Sequence, residues 1–211
     1  MTRLFIFGFC MTVYVSLWGQ EIRSRSAEEA VQILETGTFV LILPSYEKKL
    51  AAIDTLLSRE NISSRDRKNL IKRKAQTLLR RNKELEGFAS EFVNNYPFHR
   101  ILLAYDTSWI LLKHGKRSGL FIDLKGKARS DIQAETSIIV ARPGLSPEQS
   151  MDAFFLRDGD GQGFNSPFPG FVLRHHVLDP VKGLYRGKSA DKMAARRILR
   201  KLQKAVIKIK S

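Results

Sequence analysis

The chain has 211 residues, 43% of them hydrophobic, enough apolar material for one packed domain and too much for a globally disordered chain. Its 36 Lys and Arg outnumber 21 Asp and Glu, for a net charge of +15, and a field of that sign attracts polyanions. The single cysteine, Cys10, excludes an internal disulfide, a redox thiol pair and a zinc–thiolate cluster.

The chain opens with MTRLFIFGFCMTVYVSLWG. Arg3 precedes an uncharged apolar run from Leu4 to Gly19, with small Ser16 and Gly19 near its end. That layout predicts a signal peptide over 1–19. The alternative is an uncleaved inner-membrane anchor, for which the run is slightly short of the about 20 residues a spanning helix needs. Phe7-Gly8-Phe9 ahead of Cys10 is not the small-residue box of a lipoprotein. Cleavage would remove Arg3 and Cys10, leaving a cysteine-free chain of net charge +14. The expected location is the periplasm or the outer membrane. There the available polyanions are anionic lipid headgroups, lipopolysaccharide and acidic glycans. In a cytosolic chain the same charge would point to nucleic acid. Charge that only keeps helix faces solvated is the plain alternative to either.

SAEEAVQILETG (Ser26 to Gly37) reads as a helix with a Ser26/Glu29 capping box, in a lead-in over 20–37. TFVLILP, from Thr38, is a buried strand and opens a single α/β domain over 38–211. Next comes a helix capped by Ser45, with Leu50, Ile53, Leu56 and Leu57 on one face. A long basic helix spans Ser63 to about Asn95 and begins with the cap pair Ser63/Asp66. Its seam of Ile71, Ala75, Leu78, Leu85, Ala89 and Phe92 suits a helix laid across a sheet, and Gly87 marks a kink or break. Its outer face carries Arg65, Arg67, Lys68, Lys72, Arg73, Lys74, Arg80, Arg81 and Lys83. Asn61-Ile62-Ser63, just ahead of it, fits a glycosylation sequon.

Beyond Pro97, HRILLAYD is a second buried strand and TSWILLKHG a short helix. GLFIDL is a third strand, KGKARSD a basic loop, and TSIIVARPG a fourth strand closed by Pro143-Gly144. Ala153 to Arg157 and Phe171 to Val177 form the arms of a hairpin. The last helix, Ser189 to Lys210, sets Ala195, Leu199, Leu202, Val206 and Ile209 on one face. Arg196, Arg197, Arg200, Lys201, Lys204 and Lys208 lie on the opposite one. The expected fold is a mixed sheet of about four to six strands covered by helices, one long and basic, one C-terminal and amphipathic.

RDGDGQGFNSPFPG, at the hairpin tip, tests for a calcium loop. Counting from Asp158 places Asp160, Gln162 and Gly163 at positions 3, 5 and 6. Position 12, which needs a bidentate Glu, is Pro169, and the entering segment is a strand. Asp158 and Asp160 are the metal candidates, and the stretch reads as a turn. Neighbouring His175 and His176 point to opposite faces of a strand and cannot share an ion. His99 and His114 are isolated. No nucleophile elbow, phosphate loop, metalloprotease helix or cofactor motif occurs. Asp106, at the end of a strand, is the catalytic candidate, since ligands of open α/β sheets bind beyond the carboxyl ends of strands. A His99 or His175 partner would support it; helix capping of TSWILL is the competing role.

WGQ at the signal's end, LPSYEKKLAAIDTLL, NNYPFHRILLAYD and FFLRDGDGQGFNSPFPGFVLR together resemble a family of secreted proteins of Bacteroidota with no assigned activity. That resemblance implies an extracytoplasmic address and no site residues. The element order is also similar to a thioredoxin-like scaffold, without its redox Cys-X-X-Cys. The function expected is non-catalytic: an envelope protein that binds an anionic envelope surface or another envelope protein through basic helix faces. Arg196, Arg197, Arg200, Lys201 and Lys204 are its binding residues. An enzyme built around Asp106 is one alternative. Nucleic-acid binding, should the N-terminal segment not direct export, is the other.

Overall fold

Thr38–Leu43 (β1) is six residues long with every side chain buried, and the sheet is organised around it. The computed structural model describes residues 24–146, 150–174 and 190–211, so the expected signal peptide over 1–19 lies outside the described residues. β1 pairs in parallel with Arg100–Tyr105 (β2) on one side and Ile138–Leu145 (β5) on the other. Phe121–Ile122 (β3) and Ala128–Arg129 (β4) extend the β2 side in antiparallel fashion. Asp152–Asp158 (β6) and Phe171–Leu173 (β7) do the same beyond β5. The sheet is thus mixed and 7-stranded, in the order β4-β3-β2-β1-β5-β6-β7.

Six of these strands are those expected from apolar runs. The seventh, β4, corrects the upper bound of six, and it lies inside the basic loop KGKARSD. It has two residues, both exposed, so no hydrophobic pattern marks it. β5 also continues past the expected stop. β1 pairs with β5 only as far as Ala141, while Pro143 and Gly144 pair with Phe154 and Ala153 of β6. A proline is tolerated there because no partner strand awaits its missing N–H.

Strand alternation sends Phe39, Leu41 and Leu43 to one face of the sheet and Val40 and Ile42 to the other. The first face carries the larger core. Ala27–Thr36 (α1) packs there through Ala27, Ala30, Val31, Ile33 and Leu34, all buried, so the lead-in helix is part of the core. Its Ser26/Glu29 capping box forms in full. At Gly37 a Cβ would stand 2.5 Å from the Ser137 carbonyl, so only glycine lets β1 start this close to the β5 connection. Ala190–Lys210 (α6) adds Ala194, Ala195, Ile198, Leu199, Leu202, Ala205 and Val206 to the same core. Trp109–Lys113, the fifth α-helix in chain order, covers the second face through Leu112.

The β1–β2 crossover contains Glu47–Leu57 (α2) and a continuous helix of 31 residues: Ser64–Lys83 (α3), a π-helical segment Glu84–Ala89, and Ser90–Asn94 (α4). Ser63 caps α3 through the Asp66 N–H at 3.1 Å, as expected. The expected seam is buried only in its second half. Leu85, Phe88, Ala89 and Phe92 are at most 4% exposed. Ile71 is 56% exposed and Ala75 is exposed, while Leu78 is half-buried; Leu79, next to the seam, is 55% exposed. Only Thr77 of α3 and Ile53 of α2 are buried, so α2 and α3 pack on each other as an arm that leaves the domain rather than crossing its sheet. The expected apolar face of α2 is reduced to Ile53; Leu56 is 37% exposed. The break expected at Gly87 is the π-helical segment, where an added residue per turn rotates the following face onto the sheet.

Phe88→Ala is expected to cost about 3–5 kcal/mol. Ile71→Ser, on the arm, should stay within about 0.5 kcal/mol. Urea unfolding of the two variants checks the contrast. Tyr96 is packed among Phe39, Phe92 and Phe98, and burial raises its phenol pKa far above normal. Its folded pKa therefore exceeds the unfolded value of about 10. The resulting stabilisation is complete below that pH and is lost as pH rises above it. Tyr96→Phe should flatten the fall in stability between pH 7 and about pH 11, read from urea midpoints.

Candidate functional site

Residues 47–83, which form the arm, hold twelve Lys and Arg against four Asp and Glu, a net +8. Residues 190–210, which form α6, hold eight against one, a net +7. The remainder of the chain is balanced, sixteen against sixteen. The excess charge is thus confined to two helical surfaces.

On α6 the expected binding residues divide. Arg196 donates to Glu91 of α4 at 2.5 Å, and that carboxylate is only 10% exposed. Arg197 donates to the Arg174 carbonyl at 3.3 Å. Both contacts tie α6 to the domain, although the Arg196 side chain stays 47% exposed. Lys210 is paired with Glu35 of α1. Arg200, Lys201 and Lys204 are exposed and make no ion pair among the described residues. Arg196 meets α4, and Arg197 meets the chain just after β7.

On the arm, Lys74 pairs with Asp54 at 2.5 Å and so joins α3 to α2. The guanidinium of Arg80 lies 5.7 Å from the centre of the Tyr46 ring. Arg65, Arg67, Lys68, Lys72, Arg73 and Lys83 are exposed without an ion pair among the described residues. Ile71, Ala75 and Leu79 follow one another at i, i+4 and i+8, with Lys68 and Lys72 on the same side of the helix. Where the two helices meet, Leu56, Arg59, Asn61, Ile62, Ser63, Asp66, Asn69, Leu70 and Arg73 line an open groove of about 510 Å³.

The carboxyl ends of the parallel strands carry a second polar group of residues. Asp106 opens a 3-10 turn and accepts the Ser45 N–H at 3.0 Å. It does not cap the TSWILL helix; it clasps the end of β2 to the loop leaving β1. The next residue, Tyr46, adopts the left-handed region at φ 58° and starts α2. The Ser45 hydroxyl accepts the Glu47 N–H at 3.3 Å. His99 precedes β2 at its opposite end, roughly 20 Å along the strand from Asp106, with its Nε2 4.0 Å from Glu135. His114 is exposed. His175 and His176 lie outside the described residues. Among the described residues no histidine stands beside Asp106.

Asp158 is 1% exposed, and each hydrogen-bond partner of its carboxylate is a donor. The Asp160 N–H (3.0 Å), the Gln162 N–H (2.7 Å) and the Arg25 guanidinium all reach its carboxylate. Asp160 is exposed, with an Arg25 nitrogen 3.5 Å away. The stretch is therefore a turn that pins the chain ahead of α1: Arg25 forms a bridge with Phe164, and Gly161 supplies φ +87°. Among the described residues no cluster of three or more His, Cys, Asp or Glu could hold a metal ion.

The most buried ion pair among the described residues lies at the root of the arm. Arg174 is 11% exposed and pairs with Glu84 of the π-helical segment and with Asp191 of α6, the latter at 3.2 Å. Its guanidinium is 5.0 Å from the Phe88 ring centre and 5.9 Å from that of Phe154. Burial works to lower its pKa, but Glu84 and Asp191 outweigh that and raise it. No sequence signal joins residues 84, 174 and 191.

No helix among the described residues is long and apolar enough to cross a membrane. No protein-family model, curated protein or solved structure matches the chain.

Arg196→Ala should cost about 1 kcal/mol by removing the charged partner of the Glu91 carboxylate, which keeps only the Asn95 amide at 3.1 Å, whereas Lys201→Ala and Lys204→Ala stay within about 0.5 kcal/mol. Thermal and urea unfolding of the three variants checks this division of α6 into anchoring and exposed cations.

Proposed function

We propose that the protein is a non-catalytic binder of anionic lipid surfaces, and that the α2–α3 arm makes the principal contact. The carrying observation is the arm itself: unpaired cations and exposed Ile71 and Leu79 share one surface of α3. Cations draw a helix to a negatively charged interface, and apolar side chains hold it there. Solvation alone accounts for the cations but gives no reason to expose two large aliphatic residues beside them. Arg200, Lys201 and Lys204 of α6 form a secondary patch.

Two further features support an envelope setting. The N-terminal segment has the layout of an export signal, and the chain resembles secreted Bacteroidota proteins. The thioredoxin-like scaffold rests on element order alone, a β1–β2 crossover, then the β5–β6 hairpin and a terminal helix; the parallel pairing of β5 with β1 departs from it. Asp106 holds the Ser45 loop and serves a structural role in this reading.

The test is sedimentation of the full chain with phosphatidylcholine vesicles, with and without phosphatidylglycerol. A basic side chain near such a surface contributes about 1 kcal/mol. The triple variant Arg65→Gln, Lys68→Gln, Lys72→Gln should therefore bind roughly a hundredfold more weakly, with a shallower salt dependence. Ile71→Ser with Leu79→Ser should weaken binding at every salt concentration. Unchanged binding by both variants, or tighter binding to duplex DNA or RNA than to vesicles, overturns the proposal.

A further inference from the structure

The groove at the end of the arm differs from the rest of its basic surface in being concave and chemically mixed. Leu56, Ile62 and Leu70 line it together with Arg59 and Arg73. Neither arginine forms an ion pair among the described residues. A guanidinium can present two parallel N–H donors to a phosphate, and two of them flanking one groove favour an oxyanion over a cation. The volume decides between a free ion and a larger ligand. About 510 Å³ lies within the range of small-molecule sites and far exceeds a bare phosphate. Three aliphatic walls have no use for an inorganic ion, but suit a phosphate that carries an apolar group.

Asp66 is the one carboxylate in the lining. Its Oδ2 accepts the Ser63 hydroxyl at 2.7 Å, and it occupies the first turn of α3, where a helix favours negative charge. It is therefore placed by helix capping, and its charge opposes any anion in the groove. The site is thus tuned below the affinity its arginines could reach, as suits reversible contact.

We propose that this groove seats the headgroup of one anionic phospholipid, a reading that rests on the surface-binding function above. Arg59 and Arg73 take the phosphate; Leu56, Ile62 and Leu70 pack on the glycerol and the first acyl methylenes. The arm then has two parts: a diffuse cationic face along α3 that attracts the surface, and a defined lipid site where α2 and α3 join.

The test compares two double variants that remove equal charge, Arg59→Gln/Arg73→Gln and Lys68→Gln/Lys72→Gln, with Asp66→Asn as a third. All three should retain the fold by circular dichroism, since the side chains are exposed and Asp66→Asn keeps the backbone N–H that Ser63 caps. In sedimentation with phosphatidylglycerol-containing vesicles, the arginine pair should cost at least about tenfold more affinity than the lysine pair. Asp66→Asn should bind more tightly than the unmodified chain, an outcome no structural defect would produce. In parallel, micelle-free dihexanoyl phosphatidylglycerol is titrated into the full chain while the side-chain amide resonances of Asn61 and Asn69 are followed. They should shift, and should not do so in Arg59→Gln/Arg73→Gln. Equal losses from the two pairs, or amide resonances that the lipid does not move, overturn the groove while leaving surface binding intact. No vesicle binding by the unmodified chain overturns the surface reading, and the titration still judges the groove. Shifts produced equally well by inorganic phosphate overturn the lipid assignment.

Discussion

Phe88 lies flat on Phe154, with ring centres 5.1 Å apart and planes 1° from parallel, and the Arg174 guanidinium covers both. The long helix and α6 are fixed to the sheet through this stack. Phe154 belongs to β6, Phe88 to the long helix, Arg174 follows β7, and Asp191, which Arg174 holds, starts α6. An arginine stripped of water needs its charge answered, and Glu84 and Asp191 answer it from two different helices. One buried cation thereby fixes the root of the arm and the start of the last helix to the same point on the sheet.

The crossover from β1 to β2 explains why an arm exists at all. A right-handed βαβ connection needs only one helix packed on the sheet. Here that task is met by the π-helical segment and α4, whose Leu85, Phe88, Ala89 and Phe92 are buried. The preceding residues have no sheet left to cover. They fold back on themselves as α2 and α3, joined by Ile53, Thr77 and the Lys74–Asp54 pair. A helix of 20 residues extends about 30 Å, which carries the cations of α3 well clear of the electrically balanced body. A charge displaced in this way acts on a partner without opposing the fold that supports it.

The two basic surfaces therefore differ in kind. α6 uses its apolar side as core and Arg196 and Arg197 as anchors, leaving Arg200, Lys201 and Lys204 as an exposed patch. The arm has almost no core, so its aliphatic residues remain at the surface beside its lysines. The Asp158 turn and the Asp106 clasp look like sites in the sequence because acidic residues at strand ends often are. In the folded chain both are backbone devices, satisfied by N–H donors.

The sequence by itself determined the local elements. The Ser26/Glu29 and Ser63/Asp66 caps, the six apolar strands, the apolar face of α6 and the DG turn all follow from interactions within a few residues of each other. Such interactions leave a pattern in the chain. Only the tertiary structure decided where the seam of the long helix stops being core, because Ile71 and Leu85 look alike until the sheet runs out beneath one of them. It alone separated Arg196, which meets Glu91, from Lys201, which meets nothing among the described residues. It also brought Arg59 and Arg73 to one groove and Glu84, Arg174 and Asp191 to one buried cluster. Each of those outcomes depends on which surface another element covers, and coverage is set by packing between segments far apart in the chain.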